Sequence, residues 1–146
     1  MLFIKKEFVL GVALVVFGII DWKRREIPSV LLWITALVGI DCCFVEKRSL
    51  IELSYACIPG LTMLCFGKVT REAIGYGDGL LILEMAFFLS YKEVMVINMM
   101  ALGVGGIVAL FLITVCRKKG NVEIPFAPFL AMSYGIWMIK TLEFVI

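Results

Sequence analysis

Six apolar runs, each parted from the next by a short charged cluster, decide what this chain can fold into. Runs of that length need surroundings as apolar as themselves, and links this short leave no soluble domain between them. A mean hydropathy of +1.05 and a hydrophobic share of 62% agree, since soluble domains are nearer half apolar. The pattern predicts an all-α, polytopic membrane protein, with six transmembrane helices in one bundle forming a single membrane-embedded domain over 1–146. The spans fall at about 7–21, 28–45, 50–67, 80–90, 94–116 and 123–145.

The opening residues, Met1 to Lys6 ahead of Phe8–Ile20, resemble a signal peptide. No small-residue cleavage site closes the run and further spans follow, so it is expected to be the first helix. Trp22 anchors its end at the interface. Pro28 opens the second span, where a missing N–H costs nothing. Pro59-Gly60 predicts a kink in the third, and Tyr91-Lys92-Glu93 a turn before the fifth. Ala101, Gly105 and Ala109, four residues apart, form a small-residue stripe suited to close helix packing.

Several function classes drop out. The net charge of +2 is small and the basic residues are scattered, which argues against nucleic acid as a partner. There is no His, so His-based catalysis and His metal ligands are excluded. The five cysteines form no C-x-x-C pair and sit in or beside apolar runs, so they are expected to be small buried apolar residues. No metal and no cofactor is expected.

Charge by side suggests an orientation. The first, third and fifth links hold eight Lys or Arg and the opposite side six, which favours the odd links as cytoplasmic and both termini as external. Asp21 ends a helix arriving at the odd-link side, and Asp78 begins one leaving it. Topology alone therefore brings both carboxylates to one depth at one membrane face, cytoplasmic in this orientation.

A carboxylate at a membrane boundary is costly unless solvated or partnered, and such residues are usually functional. Taken singly, Asp21 could be a solvated helix-end acid beside Lys23 and Arg24, and Asp78 an N-cap. The glycines around Asp78 go beyond what a cap needs. Gly75, Gly77 and Gly79 permit close backbone approach and unusual dihedrals, as in a loop that admits an extended peptide. Two close carboxylates cannot easily both ionise, so one holds a proton and serves as acid while the other serves as base. That activates water against a peptide carbonyl without His, metal or nucleophilic Ser. Glu84, nearly two turns beyond Asp78, could line the cavity or pair with a neighbouring helix. Asp41 is expected at an outer boundary, and Arg24 and Arg25 against lipid phosphate or, as the alternative, an acidic side chain of the substrate.

At these residues the chain resembles a known family. Gly75-Tyr76-Gly77-Asp78 is similar to the GxGD motif of intramembrane aspartyl proteases. Asp21 followed by Ile27-Pro28 resembles the first-aspartate motif of type IV prepilin peptidases, and Ile124-Pro125-Phe126-Ala127-Pro128-Phe129 the Pro-rich start of that family's last helix. The resemblance implies an aspartic endopeptidase that removes the basic leader from prepilins or pseudopilins at the cytoplasmic face of the plasma membrane. Asp21 and Asp78 would be catalytic, with Gly75, Gly77, Gly79, Pro28 and Pro125 around the substrate. Many members carry a cytoplasmic cysteine-tetrad insert and N-methylate the new terminus. This chain has neither tetrad nor room for the insert, so it resembles the minimal members serving tight-adherence pili, or archaeal preflagellin peptidases, and methyl transfer is not expected. Gly79-Leu80 and Ser29 depart from the family's common Val-Lys and Asn. The competing reading from a different class is a small proton-coupled transporter or channel that uses the acids as a relay. Neither reading sets an oligomeric state.

Overall fold

The computed structural model describes residues 2–69, 75–115 and 124–145. Among these it has no strand and six helices: α1 (Leu2–Arg24), α2 (Ser29–Val45), α3 (Leu50–Val69), α4 (Tyr76–Phe88), α5 (Tyr91–Thr114) and α6 (Ala127–Val145). The links carrying Arg71, Glu72 and the Cys116–Glu123 cluster lie outside the described residues.

By length and composition, α3 and α5 are apolar enough to cross a membrane; α2 is apolar but shorter. Large apolar side chains such as Phe8, Trp33, Leu37, Phe44, Ile51, Ile107 and Leu110 are exposed around the outside, while Glu7, Asp21, Glu84 and Asn98 are buried. Water-soluble chains seldom expose apolar surface on this scale, and the pattern indicates membrane association.

The bundle is built around α4. After the first turn its sequence is apolar on every side except at Glu84, so no face is left for solvent. Gly79, Leu81, Ile82, Glu84, Met85, Ala86 and Phe88 are all buried. The helix packs against α3 most extensively, then α2, with α5 and α1 completing the wall, while α6 closes the bundle against α1 and α5.

Glycines bring the surrounding helices into contact. A Cβ on Gly60 of α3 would lie 2.6 Å from the backbone of Leu83, and one on Gly39 of α2 would lie 2.7 Å from Phe87 and Phe88. Gly18 of α1 meets the backbone of Pro128 on α6. The helix α3 is assigned without a break through Pro59, and Gly60 serves close packing against α4. In the expected stripe, Ala101 is buried and Gly105 faces the Phe129 ring of α6.

Two local expectations are corrected. Tyr91–Glu93 is the first turn of α5, not a separate turn, because the Glu93 carboxylate accepts from both the N–H (2.7 Å) and the hydroxyl (2.9 Å) of Ser90 and starts the helix there. The cysteines are less buried than expected. Cys42, Cys43 and Cys57 are half-buried and Cys65 is exposed, since apolar surface here faces outward as well as in. Cys116 lies outside the described residues.

Candidate active site

Asp21 sits in the last turn of α1 and is 6% exposed. The helix stops abruptly after it: Arg25 takes a left-handed conformation (φ 54°) and its N–H returns to the Asp21 carbonyl at 2.8 Å. One turn earlier, Gly18 lets α1 touch the start of α6, and that approach sets the partner of the carboxylate. Asp21 Oδ2 accepts from the Ala127 N–H at 3.1 Å. Ala127 is the first residue of α6, where backbone donors lack partners within the helix, and Pro128 next to it has no N–H to offer. Asp21 therefore caps α6 from another helix.

The chain then passes through Glu26-Ile27-Pro28 into α2, with Pro28 exposed at its N-cap. Ile27 is the useful contact. Its side chain packs on Gly77, where a Cβ would come within 3.1 Å. The hydrophobic residue of the first motif thus seats on a glycine of the second, which links the two aspartates by direct packing.

Asp78 lies three residues past the Gly75 N-cap, in the first turn of α4, and its N–H bonds the Gly75 carbonyl at 3.1 Å. Its side chain folds back over Gly75 so closely that a Cβ there would meet Oδ2 at 2.9 Å. Gly79 abuts Leu64 of α3, including its backbone N. All three glycines act by leaving room. None of the described glycines has positive φ, and Gly75 has φ −57°. Gly77 and Gly79 are helical, so the expected loop is largely the first turn of α4.

Asp78 precedes the apolar run that begins at Leu80. Burial, with like-charge repulsion from the Asp21 carboxylate as the lesser cause, pushes its carboxyl up to about 7. The structure thus brings Asp21, Asp78, Gly75, Gly77 and Ile27 into one cluster. Pro125 is half-buried in the segment leading to Ala127. Glu84 is buried deeper in the bundle with both carboxylate oxygens unpartnered, and Asp41 is exposed on α2. An apolar cavity of about 420 Å³ opens between α1 and α6, lined by Val15, Gly18, Ile19, Trp22 and Pro128 among others; neither aspartate lines it.

The sequence model of the type IV leader peptidase family matches residues 8–110. The chain belongs to the type IV leader peptidase family. The matched stretch contains Asp21, Ile27-Pro28 and Gly75–Gly79 and stops short of the Pro-rich lead into α6. No curated protein and no solved structure matches the chain. Membership carries peptidase activity of the leader-peptidase kind and substrates of the prepilin kind in general.

Sequence reasoning missed the Asp21–Ala127 bond, the seat of Ile27 on Gly77, and Arg48, whose guanidinium reaches the far end of α4. The first two join known motifs, but their pairing is tertiary. Arg48 carried no signal beyond being a cation in a link.

Proposed function

We propose that this leader peptidase is a membrane-embedded aspartic endopeptidase in which Asp21 and Asp78 share a proton and activate water. The observation that carries the reading is that two carboxyls from α1 and α4, Asp21 buried and Asp78 half-buried, lie near enough to interact and in different environments. Asp21 accepts a backbone hydrogen bond, whereas Asp78, raised to about 7, retains its proton well above the ordinary carboxylate range. Asp21 then acts as base, taking a proton from the attacking water as the oxygen adds to the scissile carbonyl carbon. Asp78 donates its proton to the carbonyl oxygen. Collapse of the tetrahedral species passes a proton to the leaving amine and returns the pair to its starting state.

The substrate in this reading is a prepilin or pseudopilin, cut between its basic leader and its apolar helix. Gly75, Gly77, Gly79, Pro28 and Pro125 shape the approach to the carboxyls. All six helices lie in the plasma membrane as one domain over 1–146, with the aspartates at the cytoplasmic face. No cofactor is required, and methyl transfer is not part of the activity. Family membership favours a peptidase over the transporter alternative.

The test is co-expression with a type IV prepilin, following loss of the leader by gel shift. Asp21→Asn and Asp78→Asn should each abolish processing while the protein still accumulates in the membrane. Cleavage by both variants would sink the two-carboxylate mechanism.

A further inference from the structure

The paired-aspartate reading gives no task to Arg48, yet this side chain is one of the most fully committed in the fold. It follows a turn that closes α2. The Lys47 N–H returns to the Phe44 carbonyl and the Arg48 N–H to the Cys43 carbonyl, each at 3.2 Å, with Lys47 in the left-handed region at φ 52°. This is the bonding pattern of a Schellman turn, held here by lysine where glycine is usual. The turn aims Arg48 at the C-terminal end of α4. Nη1 donates to the carbonyls of Ala86 (3.0 Å) and Phe87 (3.3 Å), and Nη2 to that of Leu89 (2.9 Å). Cys43 Sγ adds a bond to Phe87 O at 2.9 Å.

The last carbonyls of a helix have no partners of their own, and a cation there also opposes the negative end of the helix dipole. For α4 the need is acute. Its 13 residues make about 20 Å of helix, against a hydrocarbon layer of about 30 Å. The far end of α4 is buried in the bundle, with Phe88 and Leu89 each 1% exposed, and free carbonyls there are costly. Sliding α4 along its axis would free those carbonyls for other partners, but it would draw Asp78 away from Asp21. The guanidinium fork satisfies the carbonyls in place and removes the drive for that movement.

We propose that Arg48 is a positioning residue for the peptidase reaction: by clamping the C-terminal carbonyls of α4, it fixes the axial position of Asp78 opposite Asp21. The proposal rests on the two-aspartate reading. It assigns a role in catalysis to a residue at the opposite end of the helix from the reacting atoms.

The experiment measures kcat and KM for cleavage of a purified type IV prepilin in detergent, with the full chain and its variants at matched thermal midpoint. Arg48→Gln should lower kcat about 10²-fold, the scale of an ångström-sized misplacement, with KM unchanged. Arg48→Lys keeps the cation but not the planar fork, so its kcat should fall between the two, about tenfold below wild type. Wild-type kcat in Arg48→Gln, or a loss lodged in KM, would overturn the proposal. If Arg48→Gln does not yield folded protein, Arg48→Lys decides by the same criteria. Asp21→Asn and Asp78→Asn are measured alongside: cleavage by those variants means that the two-aspartate reading fails, whereas their inactivity beside a fully active Arg48→Gln means that only the clamp fails.

Discussion

At the scale of single residues, the two aspartates have different structural duties, and their variants should show it. Asp21→Asn keeps an oxygen that can accept from Ala127, so it should be inactive with a near-native thermal midpoint. Asp21→Ala strands a buried N–H at the start of α6 and should also destabilise by about 1–3 kcal/mol, read by thermal unfolding in detergent. Asp78 makes a pH prediction. Its folded-state value of about 7 lies above the ordinary 3.8, so between these the folded chain binds more protons than the unfolded one. Stability therefore falls as pH rises from 3.8 to about 7 and stays low above it. Asp78→Asn removes that penalty: its thermal midpoint should exceed wild type above pH 7, and the difference should close towards pH 3.8. The kcat/KM of the wild type should decline as pH rises through about 7, when Asp78 loses the proton it donates. Both carboxylates were legible in the sequence because a lone acid at the end of an apolar run is conspicuous. The bond from Asp21 to Ala127 was not, because it joins residues 106 apart that the packing of α1 on α6, with Gly18 against Pro128 and Gly11 against Tyr134, brings together.

At the scale of elements, the arrangement depends on how closely α2 and α3 approach α4. Gly60 is the tightest point, facing the backbone of Leu83 and not a movable side chain. Gly60→Ala should force the helices apart, costing about 1–3 kcal/mol as overpacking does and lowering cleavage, because Leu83 lies on the helix that carries Asp78. Gly103 on α5 has nothing within 4 Å of its Cβ position. Gly103→Ala should be harmless or raise stability by about 0.5–1 kcal/mol, as expected for alanine in a helix interior. Thermal unfolding and prepilin cleavage of the two variants side by side test whether space or helix propensity governs these sites. Helix positions were readable because apolar runs and charged links alternate. The start of α4 was not, because Gly75–Gly79 has the composition of a loop. Its first turn is helical because Ile27 and Leu64 pack where side chains would otherwise stand.

For the molecule as a whole, the distribution of positive charge bears on which way the bundle sits in the membrane. Counting Lys and Arg gives eight on the side of the Asp21 and Asp78 ends and six on the other, a narrow margin. Two of the six carry contacts within the fold. On the minority side Lys6 pairs with Glu46 at 2.8 Å, and Arg48 is bound to the carbonyls of α4. These two cations have duties inside the fold whatever the orientation, so they say little about which side faces the cytoplasm. Lys23 and Arg24, by contrast, are exposed just beyond Asp21. The remaining bias favours the proposed orientation, with the aspartates at the cytoplasmic face, where the basic leader of a precursor would be retained. In a chain whose native cysteines are replaced by serine or alanine, a cysteine at Lys47 should react with an impermeant maleimide in intact cells. A cysteine at Arg24 should react only after the membrane is opened. The opposite pattern would put the active site outside and remove the leader–helix junction of a cytoplasmic precursor from reach. Equal labelling of both in intact cells would rule out six spans, because that topology places these positions on opposite faces.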